Sequence, residues 1–143
     1  MHKFKLLAVS TLLFWAGQSG AYVEGGMASA MELALMPRYC WSDYKPELKK
    51  SPGFFINCGV GTNHYCGGLL ILMRAEKMAH GSGRLMDLNR SKHEIDYTMR
   101  YMDNPDNKNC FIRKEAEKIL AKLNTLIRQE ESLQALKKNR SLP

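Results

Sequence analysis

The most regular alternation of apolar and polar positions lies in the carboxyl-terminal third of the chain. Apolar residues recur there at three- and four-residue intervals, with charged residues between them, at Ile112, Ala116, Ile119, Leu120, Leu123 and Ile127. This spacing describes one face of an amphipathic helix. Leu133 and Leu136 continue it, so we predict a helix from about residue 112 to about Lys138, followed by a frayed tail over residues 139–143.

Two more helices are predicted before the turn sequence at residues 104–107. The run from His64 to Met78 is apolar almost all round its middle, as expected of a central helix. A Gly-Ser-Gly break follows at residues 81–83. An amphipathic third helix is predicted after the break, starting as late as Asp87, and its apolar positions are Leu85, Leu88, Ile95, Thr98, Met99 and Met102.

A shorter first helix is predicted over residues 27–36, which are rich in good helix formers. Pro37 ends it, because proline lacks the amide hydrogen and its ring collides with the preceding turn. Residues 42–61 are rich in proline, glycine and polar turn formers and predict a long loop, in which residues 53–56 are the only run that could pair as an edge strand. The predicted fold is all-α, with about four helices in antiparallel hairpins.

The amino-terminal residues have the pattern of a cleavable secretory signal peptide. A basic head over residues 2–5 precedes residues 6–16, which are almost entirely apolar but too few to span a bilayer. Small side chains at Ser19 and Ala21 suit a signal peptidase, so cleavage is predicted before Tyr22. An uncleaved anchor and a hydrophobic first helix are the alternatives. The predicted organisation is a signal peptide over residues 1–21 and one periplasmic or secreted helical domain over residues 22–143.

Charge singles out the last predicted helix. Loss of the signal peptide removes two lysines and lowers the formal charge from +7 to +5, and from Lys108 onward nine basic residues face four acidic ones. An exported protein seldom meets nucleic acid, so the candidate partners are anionic lipids, polysaccharide or an acidic protein. The alternative is a solvated helix face. The residues predicted for a basic surface are Lys114, Lys118 and Lys122.

The four cysteines form an even set, which in an exported chain favours two disulfides. If the helices run up and down in order, all four cysteines meet at one pole of the bundle. Of the three possible connectivities we favour Cys40–Cys66 with Cys58–Cys110 and leave the other two open. A metal site that includes His64 is the alternative, but the chain has no C-x-x-C pair, so neither metal nor another cofactor is expected.

Few other residues indicate chemistry. His64 lies next to a cysteine at a predicted helix start, so a Cys/His site can be envisaged if a thiol is free. His80 and His93 are predicted to be solvated, and the acidic pairs Glu94/Asp96 and Glu115/Glu117 are predicted to be ordinary surface charges. Aromatic residues cluster near the loop and could form either a recognition surface or part of the core: Tyr39, Trp41, Tyr44, Phe54 and Phe55.

The segment from Tyr65 to Asn107 resembles a tetratricopeptide-type helical hairpin, with Ala75, Tyr97 and Pro105 near the small, aromatic and proline positions of such repeats. The fragments MPRYCW, CGVGTNHYC and IDYTMRYMDN are similar to segments of exported bacterial proteins of this tetratricopeptide-like type. The resemblance implies a helical interaction module with no known reaction, in which disulfides substitute for the neighbouring repeats that normally stabilise each unit.

Together these observations predict an exported, non-enzymatic protein-interaction or assembly module of the bacterial cell envelope, with a protein partner and no membrane span in the mature form. Two other functions are considered. One is a small periplasmic enzyme that uses His64 with a free cysteine. The other is a basic antagonist that binds an acidic partner or a membrane surface.

Overall fold

A computed structural model describes residues 27–53, 56, 58, 61, 63–107 and 109–140 of the chain. Within these residues the fold is all-α and contains no strand, which confirms the predicted fold class. The predicted signal peptide and two residues of the predicted edge strand, Phe54 and Phe55, lie outside the described residues. The described α-helices are α1 (Ala30–Leu35), α2 (Trp41–Tyr44), α3 (Asn63–Ala75), α4 (Ser82–Met102) and α5 (Arg113–Arg140), and 3-10 turns at Arg38–Cys40 and Pro46–Leu48 flank α2.

Helix α4 packs against α3 and against α5. It runs antiparallel to both of them. The start of α4 contacts the end of α3, where Arg84 Nε donates to the Ala75 carbonyl at 3.1 Å. Its end contacts the start of α5, where Arg113 Nη1 donates to the Asp103 carboxylate at 3.1 Å. Nine of the thirteen residues of α3 are buried, so α3 is the central helix that its apolar sequence predicts.

The contact between α3 and α4 is closest at Gly68. The Ser91 hydroxyl donates to the Gly68 carbonyl at 2.8 Å, which requires the two helix backbones to approach each other. A β-carbon at Gly68 would lie 2.7 Å from Cδ1 of Ile95, a fully buried residue. Glycine at this position therefore allows the helix spacing.

Helix α1 is attached to the end of α3 by charge as well as by apolar packing. Ser29 and Glu32 form a reciprocal capping box that starts the helix, and Leu33 is buried in the core. Arg74 Nε donates to Glu32 at 2.7 Å, and this hydrogen bond is the main cause that lowers the pKa of Glu32 to about 2. Six residues are too few for a stable isolated helix, so α1 depends on these contacts.

The structure departs from the predicted element boundaries in three places. Helix α2 and the turn Pro46–Leu48 lie within the predicted loop, because Trp41 packs against the core and Pro46 has the fixed φ that suits a helical first turn. Helix α4 begins at Ser82, inside the predicted break, where the Leu85 amide donates to the Gly81 carbonyl at 3.1 Å. Helix α5 continues to Arg140, two residues beyond the predicted end.

Both favoured disulfides are present: Cys40 is bonded to Cys66, and Cys58 to Cys110. The first joins the 3-10 turn before α2 to the first turn of α3. The second joins the segment that precedes α3 to the residues just before α5. The cysteines therefore meet where α3 starts, α4 ends and α5 starts, and each bond is expected to stabilise the fold by about 2–4 kcal/mol.

No helix among the described residues is long and apolar enough to cross a lipid bilayer.

Replacing Gly68 with valine should destabilise the fold by about 1–3 kcal/mol, because the new side chain overlaps Ile95 in a packed interface. The measurement is urea unfolding with both disulfides intact. Gly83→Val is the matched control, since a β-carbon there meets only the flexible end of Met78 at 3.4 Å, and its stability should fall by less than about 0.5 kcal/mol. Equal effects at the two glycines would contradict the close helix approach.

The two disulfides should differ in their sensitivity to reduction. Cys40 and Cys66 are fully buried, whereas Cys110 is partly exposed, and thiol–disulfide exchange requires access to a sulfur. Alkylation without reductant should label no cysteine, and graded reduction should open Cys58–Cys110 first. Peptide mapping that finds Cys40 linked to Cys58, or a labelled thiol before reduction, would contradict the assigned bonds.

Candidate interaction surface

The three lysines predicted to form a basic surface project from α5, but they are not equivalent. Lys114 and Lys118 are exposed. Lys122 lies 2.5 Å from a carboxylate oxygen of Glu76, at the end of α3, so this cation helps to hold α5 beside α3. Exposed ion pairs of this kind contribute about 0–1 kcal/mol to stability. Part of the predicted basic surface is thus neutralised within the fold.

The predicted aromatic residues that the structure describes are packed against the core. Trp41 is half-buried and its indole nitrogen donates to the Met36 carbonyl at 3.4 Å. Tyr44 is also half-buried and its hydroxyl donates to the Cys66 carbonyl at 3.3 Å. The positions of Trp41 and Tyr44 favour the core interpretation of this cluster over an open recognition surface.

A second aromatic group lies at the start of α5. The hydroxyls of Tyr39 and Tyr65 both donate to the Glu115 carboxylate, the second at 3.5 Å, and burial raises the pKa of Tyr65 to about 12. The Phe111 ring meets the Tyr39 ring edge-on with centroids 5.2 Å apart, although 56% of the Phe111 surface stays exposed. Glu115 is exposed, as predicted for a surface charge, and it is also a structural acceptor that links the α1–α3 connection to α5.

His64 does have an acidic partner, but no thiol. Its Nδ1 lies 2.5 Å from the Glu94 carboxylate, and its ring packs on Tyr97 with centroids 4.2 Å apart. Glu94 is buried, so the prediction that it is an ordinary surface charge is wrong. Both its burial and its pairing follow from its place on the side of α4 that faces α3. Because all four cysteines are in disulfides, the nucleophile that a Cys/His site needs is not present.

A buried carboxylate holds the opposite pole of the bundle. Glu130 of α5 is fully buried and accepts hydrogen bonds from the Gly81 amide and from Arg84 Nη1, both at 2.7 Å. His80 Nδ1 also lies 2.7 Å from it. The His80 side chain is exposed, as predicted, but it also has a buried acidic partner. The hydrogen bond with His80 is the main cause that lowers the pKa of Glu130.

The sequence does contain a signal for this cluster. Glu130 lies seven residues after Leu123 and three after Ile127, so it occupies the line of apolar positions that faces the core. An acidic residue at a core-facing position requires a buried partner. Arg84, at the start of α4, is that partner and cannot be identified without knowing the packing of the helices.

Helix α5 continues for ten residues after Glu130, beyond the contact that Glu130 makes with the start of α4. Leu133 and Leu136 on this extension are 36% and 57% exposed. An open groove of about 480 Å³ lies beside Leu133, and it is lined by His80, Thr125, Arg128, Gln129, Ser132 and Leu133. The extension therefore combines exposed leucines, a groove and basic residues.

Among the described residues, no group of three or more histidine, cysteine, aspartate or glutamate side chains is placed to hold a metal ion.

Comparison with known proteins yields no relative. No protein-family model matches the chain, and neither the curated proteins nor the solved structures contain a match. The assignment of function therefore depends on the geometry of the chain itself.

Replacing Glu130 with glutamine should make stability less sensitive to acid. The ordinary pKa of the carboxyl group is 4.5, and in the folded state the pKa is lower. The stabilisation from Glu130 is therefore complete above pH 4.5 and is lost as the pH falls towards the folded-state pKa, where the unfolded chain binds more protons.

The measurement is urea unfolding of the wild type and of Glu130→Gln from neutral pH into the acid range. Glu130→Gln should be less stable at neutral pH, and its difference from the wild type should shrink on acidification. Glu131→Gln, at an exposed neighbouring position, is the control and should follow the wild type. Parallel curves for the wild type and Glu130→Gln would contradict a structural role for the buried charge.

Proposed function

We propose that this chain is an exported, non-enzymatic interaction or assembly module of the bacterial cell envelope. The observation that carries the proposal is the extension of α5, where Leu133 and Leu136 are exposed on a helix that outruns its neighbours. Exposed apolar residues beside a groove are typical of protein-interaction sites.

The support beneath this extension is rigid. The disulfide Cys58–Cys110 ties the start of α5 to the segment before α3, and Glu130 ties its middle to α4 and to the α3–α4 loop. A surface that is already ordered loses less conformational entropy on binding. The two attachments therefore favour a role in which the end of α5 is presented to a binding partner. The disulfides also favour maturation in an oxidising compartment, consistent with the predicted export.

The resemblance to tetratricopeptide-like hairpins supports the same function. In such arrays each helical hairpin packs on the next, so the last helix offers a face that a neighbour or a partner can cover. Ala75, at the small position of the resemblance, is fully buried, and Tyr97, at its aromatic position, packs on His64. The packing of these two positions supports the proposed resemblance.

The two alternative functions have less support. The enzyme hypothesis required a free thiol near His64, and the cysteines are bonded to one another. The basic-antagonist hypothesis required three lysines that face solvent together, and Lys122 is paired with Glu76. Lys114 and Lys118 alone form a small basic surface.

The proposal is tested by capture of partners from an envelope extract on the immobilised mature protein, residues 22–143. Leu133→Ser with Leu136→Ser should reduce the recovery of a specific partner about tenfold, because each serine removes apolar contact area. Phe111→Ser is the matched control: Phe111 is 56% exposed just before the start of α5, at the other end of that helix, and its replacement should leave recovery unchanged. The proposal is refuted if the two serines do not change the recovery, or if no envelope protein remains bound after washing.

A further inference from the structure

The chemistry around the exposed leucines indicates what kind of partner they meet. Between residues 128 and 140 the exposed charges are four basic residues and one acidic residue, Glu131, because Glu130 is buried and paired. The extension therefore presents an excess of +3 to solvent. The basic residues are Arg128, Lys137, Lys138 and Arg140.

Arg128, His80 and Gln129 contribute nitrogen atoms to the lining of the groove. The Arg128 side chain is exposed. The Nδ1 of His80 contacts Glu130 and Arg84, each at 2.7 Å, so Nε2 is the ring nitrogen that an incoming group can approach. The His80 side chain is 55% exposed. Buried Glu130 thus orients an imidazole towards the groove.

The hydroxyls of the groove are already engaged. Thr125 donates to the Ala121 carbonyl at 3.0 Å and Ser132 donates to the Arg128 carbonyl at 2.8 Å. The donors that remain for a ligand are therefore those of Arg128 and the Gln129 amide, because the Nδ1 hydrogen of His80 is directed at Glu130. Such a set is suited to carboxylates, with which arginine forms charge-assisted hydrogen bonds.

We propose that the carboxyl-terminal extension of α5 docks an acidic amphipathic helix of a partner protein. Leu133 and Leu136 are three residues apart on α5 and form a short apolar ridge for the apolar face of that helix. Its carboxylates lie against Arg128 on one side and against the basic end of α5 on the other. This inference rests on the proposed function and adds the chemistry of the partner.

A partner helix fits these observations better than an anionic membrane does. A bilayer needs a broad apolar face that enters its surface, and the extension exposes only two leucines among the large apolar residues of its described part.

The test uses three defined probes with the mature protein: a helical peptide of about 20 residues with leucine on one face and glutamate on the other, the same peptide with lysine in place of glutamate, and phosphatidylglycerol vesicles. Binding is measured by calorimetry. The glutamate peptide should bind at least about tenfold more tightly than the lysine peptide, and its affinity should fall as salt is raised. No preference for the glutamate peptide, or tighter binding to vesicles than to either peptide, would overturn the inference.

Charge-reversal variants test whether the glutamate peptide binds at the carboxyl-terminal end of α5. Arg128→Glu with Arg140→Glu should weaken binding of the glutamate peptide at least about tenfold, whereas Lys114→Glu, at the other end of α5, should leave it within about twofold. Circular dichroism confirms that each variant is folded. Equal losses from both ends of the helix would overturn the inference.

The outcome also separates this inference from the proposed function. If envelope capture depends on Leu133 and Leu136 but survives Arg128→Glu with Arg140→Glu, the chain is an interaction module whose partner is not acidic. If capture does not depend on the leucines, the proposed function fails as well.

Discussion

The two disulfides at one pole of the bundle are the constraint on which the rest of the structure depends. They connect the turn before α2, the segment before α3 and the start of α5, which lie far apart in the sequence. Only three helices of the described part are long, and α1 and α2 are too short to persist without tertiary contacts. By restricting the unfolded chain, the crosslinks offset the small core. The two crosslinks therefore support a fold that contains only three long helices in its described part.

The opposite pole is held by polar contacts. Glu130 accepts hydrogen bonds from the loop after α3 and from Arg84 of α4, so three parts of the chain meet at one buried carboxylate. A buried ion pair is seldom a large net source of stability, but it penalises every arrangement that leaves the charge without a partner. Covalent bonds at one end and a buried charge at the other thus fix the register of α5 along α4, and that register determines how much of α5 extends beyond the bundle.

The sequence predicts the framework better than it predicts the polar contacts. Apolar spacing identifies α3, α4 and α5, and the positions of the cysteines along an up-and-down array favour the disulfides that are found. The prediction that Glu94 is a surface charge is wrong, and the burial of Glu130 is not predicted, because the exposure of a charged residue depends on which helix covers it. The same limit applies to His80, whose partner is fifty residues away. Local pattern predicts which residues form a helix, whereas pairing across helices depends on the packing.

Ion pairs within the fold change how the basic charge of the carboxyl-terminal helix is interpreted. Arg113 is paired with Asp103 and Lys122 with Glu76, so two of the cations in the first half of α5 bind neighbouring elements of the fold. Beyond Glu130, α5 continues past its contact with the start of α4, and its exposed residues are mostly basic beside two leucines. The net charge of the whole helix does not show this division. The proposed recognition therefore depends on the coincidence of excess basic charge and exposed apolar surface at one end of α5, and not on the overall basicity of the chain.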